Sequence, residues 1–329
     1  MAKKSGEAAV TETAEMTEFD YKKAKSNSFW HNTWKHRAYL VMALPAVIIM
    51  LLFNYIPMTG LVLAFKKYDM TKGMFLSPWN GLDNFKFLIA SKKTFFTMTR
   101  NTLLYYLVFT AIGTFLNVVI AIAIDQLVFK KLGKVMQTIM IIPIFVSYAA
   151  VQFIVMAYLG SNVGMISNAL GDAGHKIAFY RSPQYWPLIL TLVKIWHDTG
   201  YGSVLYMSVL AGVDTSLYEA AQIDGATKWQ QIKYVSLPSL VPMVTVMLLL
   251  SVGNIMHSDT GLFFQVTRDT GNLYSTTQVI DSYVLHAIMH ISDFGFLAAT
   301  TFFQSVVGLL LMLFANWLVN RVSPENALF

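Results

Sequence analysis

The residues best placed to do chemistry in this sequence are charged groups inside long apolar stretches. Lys194 and Asp198 stand four residues apart, which places them on one face of a helix. Such a pair indicates either a self-neutralising ion pair, near a membrane boundary or facing a pathway, or a proton relay. His197 has no second ligand at suitable spacing, so we interpret it as a hydrogen-bonding or packing residue and predict no metal site.

A second set of residues suits a neutral, hydroxyl-rich ligand. Such a ligand offers CH faces to aromatic rings and OH groups to uncharged polar side chains. Groups of both kinds lie within apolar stretches, at Trp196, Tyr201, Tyr206, Ser251, Asn254 and Gln304. The alternative for each is helix–helix packing, in which Ser and Asn form interhelical hydrogen bonds.

Several enzyme and motor signatures are absent from the sequence. There is no G-x-x-x-x-G-K-[ST], so this chain alone holds no ATP in a P-loop. There is no H-E-x-x-H, no G-x-S-x-G and no cysteine. We therefore predict no catalytic residue and no cofactor in this chain.

The elements that position these residues are membrane spans. The 329 residues are 55% hydrophobic and 13% charged, where soluble domains are about 25% charged. Six apolar runs predict an all-α membrane protein with six transmembrane helices, at about 39–56, 101–124, 135–159, 185–211, 240–256 and 294–318. The net charge of +6 suits an anionic bilayer surface and needs no nucleic acid to explain it.

The remaining segments complete the predicted organisation. Residues 1–36 are polar without the apolar core of a cleavable signal peptide, and we expect a flexible cytoplasmic tail there. Residues 37–98 are predicted to hold the first helix and an external segment. Residues 99–318 form the predicted main transmembrane domain, and 319–329 a short cytoplasmic tail. Lys and Arg are too evenly divided between the two sides to orient the chain.

The polar stretch 214–238, between the fourth and fifth spans, carries helix signals. Ser216 and Glu219 have the spacing of a capping box, which predicts a helix beginning at Leu217. Gly225 can adopt the left-handed conformation that ends such a helix.

The same stretch then carries the start signals of a second helix. Thr227 and Gln230 repeat the capping spacing, and Pro238 marks the entry to the fifth span. We predict a short helix-turn-helix on the membrane surface. The alternative is an ordinary pair of interfacial helices.

The stretch resembles the EAA loop of ABC importer permeases, whose pattern is EAA, three residues, G, nine residues and I-x-L-P. Here Glu219-Ala220-Ala221 is followed by Gly225 and by Val235-Ser236-Leu237-Pro238 at those spacings, with Val235 the one departure. In that family the loop is a coupling helix that docks into a cytoplasmic ATPase. The resemblance implies an ATPase-coupling role for Glu219, Ala220, Ala221, Asp224, Gly225, Leu237 and Pro238.

Further stretches resemble the polysaccharide-type subgroup, and the likeness covers nearly the whole chain after residue 38. They include Ala64-Phe65-Lys66, the Ser77 to Phe85 stretch and Gln304 to Gly308.

In maltose-type permeases, sugar contacts come from a Tyr before the EAA glutamate and from Ser, Phe and Asn after the loop's proline. Similarity to that pattern implies that sugar contacts here come from Tyr201, Ser251, Asn254 and Ser258. The pattern's phenylalanine has no counterpart here. With Trp196 and Gln304, these residues form the predicted substrate pathway.

The resemblance also implies an assembly with a type I ABC importer transmembrane fold. This chain would be the permease subunit of an ATP-driven, binding-protein-dependent importer for oligosaccharide or polysaccharide fragments. Its expected partners are a second permease, ATPase subunits that bind ATP and Mg, an extracytoplasmic solute-binding protein and membrane lipid. It would lie in a bacterial cytoplasmic membrane with both termini cytoplasmic.

Alternatives remain at this point. Within the family, the chain could be an amino-acid or peptide permease. From other classes, it could be an ion-coupled secondary carrier centred on Asp198, or a structural or sensor protein with the permease fold.

Overall fold

The structure is a computed structural model that describes residues 37–86, 92–127, 129–161, 164–172, 177–290 and 293–324. The chain divides into two units, Met1–Leu61 and Val62–Phe329, each considered by itself. The predicted tail over 1–36 lies outside the described residues, as do residues 325–329 of the second tail.

Helices dominate the described residues, where the one β feature is an isolated bridge between Lys66 and Trp79. The longer helices are α1 (Arg37–Phe65), α2 (Lys92–Asp125), α3 (Lys130–Ile141), α4 (Tyr148–Leu159), α5 (Met165–Asp172), α6 (Trp186–Ala211), α7 (Thr215–Ile223), α8 (Lys228–Val252), α9 (Ile280–His290) and α10 (Phe294–Val322). The predicted all-α class is confirmed.

Four helices in the described part of the chain, α1, α2, α8 and α10, are long and apolar enough to cross a membrane. The pair α3 and α4 makes a fifth candidate, a broken span bent by 97°. Helix α6 has 26 residues, which is long enough, but Lys194, His197 and Asp198 reduce its apolar character. The count of six spans therefore stays a prediction.

Helical structure continues through two prolines that lie near predicted span limits. The first helix continues past Pro57 to Phe65, because the proline sits in the first turn after a π-helical turn. Pro238 lies in the first turn of the α-helical part that begins at Leu237, and a π-helical turn at Ile232–Ser236 joins this part to the helix start at Lys228. The wider turn just before Pro238 accommodates its missing N–H group.

Helix α10 extends beyond the predicted sixth span, which ends at about residue 318. Helix α10 continues to Val322, through the first residues of the predicted tail 319–329. Arg321 lies over the ring of Trp317, with its guanidinium carbon 4.2 Å from the ring centroid. This cation–π contact stabilises the last turn of α10.

Helix α6 lies at the centre of the second unit, between α2, α3 and α8. Its Tyr206 and Leu210 pack in a buried cluster with Ala121 of α2 and Leu240 of α8. A Cβ atom at Gly200 would collide with the backbone carbonyl of Met140 in α3, so glycine permits this close approach. This packing fixes where the polar side chains of α6 point.

Candidate functional site

Helix α7 begins earlier than its predicted start at Leu217. Asp214 is the N-cap, and its carboxylate accepts a hydrogen bond from the Ser216 amide at 2.9 Å. The Ser216–Glu219 capping box is therefore wrong, because the preceding carboxylate already satisfies that amide. The cap hydrogen bonds hold the pKa of Asp214 below its usual range. Glu219 is exposed.

The end of α7 is a left-handed turn, as predicted. Gly225 has φ of +79°. The Ala226 amide donates to the Ala221 carbonyl at 2.8 Å, and the Gly225 amide donates to the Gln222 carbonyl at 3.0 Å. These two bonds define a Schellman motif, which satisfies the last carbonyls of the helix.

The start of α8 carries the predicted capping box. The Gln230 amide donates to the Thr227 hydroxyl at 3.3 Å, and the Thr227 amide donates to the Gln230 side chain at 2.7 Å. The Tyr218 and Ser236 hydroxyls, 2.9 Å apart, link α7 to the π-helical turn of α8. Hydrogen bonds at both ends thus fix the helix pair.

The surface of this pair is exposed and partly apolar. Helix α7 has no buried residue, and Ile223 and Trp229 are 87% and 70% exposed. Among the predicted coupling residues, Ala221 is half-buried and the others are exposed: Glu219, Ala220, Asp224, Gly225, Leu237 and Pro238. Exposed large apolar side chains on a well-capped helix are typical of a protein-docking surface.

Two adjoining cavities lie in the second unit. The His257 cavity, of about 360 Å³, is lined by residues that include Tyr106, Lys194, Ser251, Asn254, His257, Ser258 and Asp259. The Asn117 cavity, of about 260 Å³, is lined by residues that include Thr114, Asn117, Lys194, Asp198, Tyr206 and Ser251. Both are lined by Phe109, Thr110, Lys194 and Ser251, so they meet beside Lys194.

The structure brings three predicted pathway residues together in the His257 cavity: Ser251, Asn254 and Ser258. The Ser251 hydroxyl lies 2.8 Å from that of Tyr106, which adds a second hydroxyl to the lining. The Ser258 amide and hydroxyl donate to Asp281 at 2.6 and 2.9 Å.

The other predicted pathway residues lie elsewhere. Gln304 is buried, and its amide donates to the Met256 carbonyl at 2.7 Å and to Asp281 at 3.1 Å. Trp196 and Tyr201 are 46% and 57% exposed and line neither of the two cavities. Substrate contact stays a prediction for all six pathway residues.

Lys194 joins two carboxylates at the meeting point of the cavities. Its ammonium lies 2.6 Å from Asp198 of the same helix and 2.9 Å from Asp259. The predicted pairing with Asp198 is confirmed, and Asp259 is a partner that sequence reasoning missed. Because Asp259 lies 65 residues further along the chain, no local spacing pointed to it.

His197 extends this charged network, as a hydrogen-bonding residue. It is buried, its Nδ1 faces Asp198, and its Nε2 lies 3.0 Å from the Val146 carbonyl. Both neighbours are acceptors, so the imidazole lies between two hydrogen-bond acceptors. Among the described residues, no three His, Asp or Glu side chains converge in a way that could hold a metal ion.

The described residues thus combine several helices able to cross a membrane, a capped and exposed helix pair, and polar cavities between helices. Residues 117–324 match the family described as "Binding-protein-dependent transport system inner membrane component". Because this match covers more than half of the chain, the chain belongs to that family.

Curated relatives agree with this family. The chain is 28% identical over 307 residues to the polygalacturonan/rhamnogalacturonan transport system permease protein YteP of Bacillus subtilis, covering 93% of this chain and 95% of the relative. It is 24% identical over 278 residues to the lactose transport system permease protein LacF of Rhizobium radiobacter, covering 80% and 92%.

A solved structure is also similar. A chain of a bacterial ABC transporter involved in the import of the acidic polysaccharide alginate superposes with a TM-score of 0.78 at 29% identity. The match covers 89% of this chain and 99% of that one. The fold is therefore that of an ABC importer permease.

Proposed function

We propose that this chain is one permease subunit of an ATP-driven importer for oligosaccharide or polysaccharide fragments. The observation that carries the proposal is the exposed α7–α8 helix pair, capped at both ends and closed by the Gly225 turn. Its apolar side chains suit a docking partner, and the EAA resemblance makes that partner an ATPase. ATP and Mg would be held by that partner, since this chain has no P-loop.

The assembly we propose has four kinds of component. A second permease completes the pathway, two ATPase copies act on the cytoplasmic side, and a solute-binding protein delivers substrate from outside. A transporter crystallised with an alginate pentasaccharide-bound periplasmic protein supports this arrangement, because one of its chains matches 90% of this chain with a TM-score of 0.78. Since an ATPase works in the cytoplasm, the α7–α8 loop and both termini lie on that side.

The two cavities are the proposed pathway for the saccharide. Ser251, Asn254 and Tyr106 offer uncharged hydrogen-bonding groups, and Tyr105 and Phe263 offer rings to sugar CH faces. Alternating access, driven by ATPase closure on the α7–α8 pair, would open this pathway to each side in turn.

The test is uptake by the complete transporter reconstituted in liposomes. Size-matched oligosaccharides of alginate, polygalacturonate and a neutral glucan are offered with the binding protein, with and without internal ATP. We expect uptake of at least one saccharide that requires both ATP and the binding protein. Uptake of none, or uptake driven by an ion gradient without ATP, contradicts the proposal.

A further inference from the structure

A groove between α2 and α6 lies on the opposite face of α2 from the Asn117 cavity. Its volume is about 510 Å³, and its lining includes Leu104, Val108 and Ile112 of α2 and Leu188 of α6. At 100° of rotation per residue, Thr110, Gly113 and Asn117 of the Asn117 cavity lie on the other side of α2. The groove is therefore separate from the Asn117 cavity, whereas Tyr105 lines both the groove and the His257 cavity.

The groove is apolar along its length and polar at one end. Arg100, Leu104, Val108 and Ile112 follow one another at four-residue spacing, so they form a row along the helix. The row spans about 18 Å, close to the roughly 15 Å hydrocarbon depth of one leaflet. Leu104 and Leu188 are more than half exposed, so the groove opens to the surroundings of the span.

Arg100 supplies a positive charge at the polar end. Its guanidinium donates to the Asn101 side-chain oxygen at 2.9 Å and to the Ser275 carbonyl at 3.1 Å, both neutral acceptors. Within the described residues, no carboxylate lies within 4.0 Å of it. A cation at the mouth of a leaflet-deep apolar groove is complementary to a phospholipid with a net negative headgroup.

We propose that this groove binds one acyl chain of an anionic phospholipid, whose phosphate pairs with Arg100. The leaflet is the one opposite the α7–α8 loop, because the far end of α2, at Asp125, shares a cavity with Thr215 and Tyr218 of α7. The identification of that leaflet as the outer one rests on the proposed function; the lipid site itself does not. The bound lipid would fill the seam between the two helices that carry the pathway residues.

The test is native mass spectrometry of the intact transporter, delipidated and titrated with phosphatidylglycerol or phosphatidylcholine. Arg100→Gln is expected to lower the affinity for the first bound phosphatidylglycerol about fivefold, which is the effect of one lost basic contact. The change in phosphatidylcholine affinity should be smaller. Val108→Trp fills the groove and should weaken the binding of both lipids.

Two matched variants control for general effects. Val119→Trp adds the same bulk on the same face of α2, two turns beyond the groove, and Arg321→Gln removes an exposed arginine at the end of α10. Both should bind lipid like the wild type. Equal phosphatidylglycerol affinity in the wild type, Arg100→Gln and Val108→Trp would overturn the proposal, as would loss of the second permease from Val108→Trp with lipid binding unchanged. Lipid binding is measured without transport, so failure of the saccharide proposal leaves it standing.

Discussion

Replacing Gly225 by valine is expected to lower ATP-driven uptake about five- to thirtyfold. The residue has φ of +79°, a conformation that costs a β-branched residue roughly 1–2 kcal/mol. An added Cβ atom would meet no other atom within 4 Å. The loss must therefore come from the backbone, through disruption of the turn that ends α7 and presents the pair to its partner.

The matched control is Gly225→Asn, because asparagine visits the left-handed region more readily than other residues with a side chain. We expect it to retain most of the uptake. The measurement is ATP-driven uptake and substrate-stimulated ATP hydrolysis by the reconstituted transporter, at equal amounts of each variant. Wild-type activity in Gly225→Val, or equal losses in both variants, would show that the turn does not transmit the ATPase motion.

Replacing Lys194 by methionine is expected to destabilise the transporter by about 2 kcal/mol. The change leaves the carboxylates of Asp198 and Asp259 facing each other without their shared cation. The Lys194 side chain is 22% exposed, so the cost should lie between those of a surface pair and a fully buried pair. In thermal unfolding this corresponds to a midpoint about 4 to 8 °C lower.

A double variant and a surface ion pair serve as comparisons in this experiment. Lys194→Met combined with Asp259→Asn removes one of the stranded charges and should recover at least half of the lost stability. Lys86→Met breaks an ion pair of similar length, 2.7 Å to Asp83, but the lysine is 73% exposed. It should change stability by less than about 1 kcal/mol. A Lys194→Met protein as stable as Lys86→Met would mean that the network is not energetically coupled.

The helices of this protein were predictable because their signals are local. The Thr227 capping box and the Gly225 turn each depend on residues a few positions apart, and the structure contains both. Four of the apolar runs lie in helices able to cross a membrane, and a fifth lies in the bent helix pair. The start of α7 was misplaced by two residues because Asp214 and Ser216 are both good caps, and spacing alone does not rank them.

The site was less predictable because its partners are distant in sequence. The Lys194–Asp198 pair follows from helical spacing, whereas Asp259 reaches Lys194 only through the folded loop after α8. Gln304 has the chemistry of a pathway residue, yet its amide is bound to Met256 and Asp281, an arrangement that only tertiary packing defines. Helical structure continues through Pro57 and Pro238 because a π-helical turn precedes each proline, a feature that the sequence pattern does not predict.

The central claim, that the α7–α8 pair docks an ATPase, is tested most directly by co-purification from native membranes. The wild-type chain is compared with Gly225→Trp and with the Gly225→Asn control, and retained proteins are identified by mass spectrometry. We expect a P-loop ATPase to be retained with the wild type and the control, and to be lost or markedly reduced with Gly225→Trp. Recovery of no P-loop ATPase with any of the three forms would contradict ATPase docking on this helix pair.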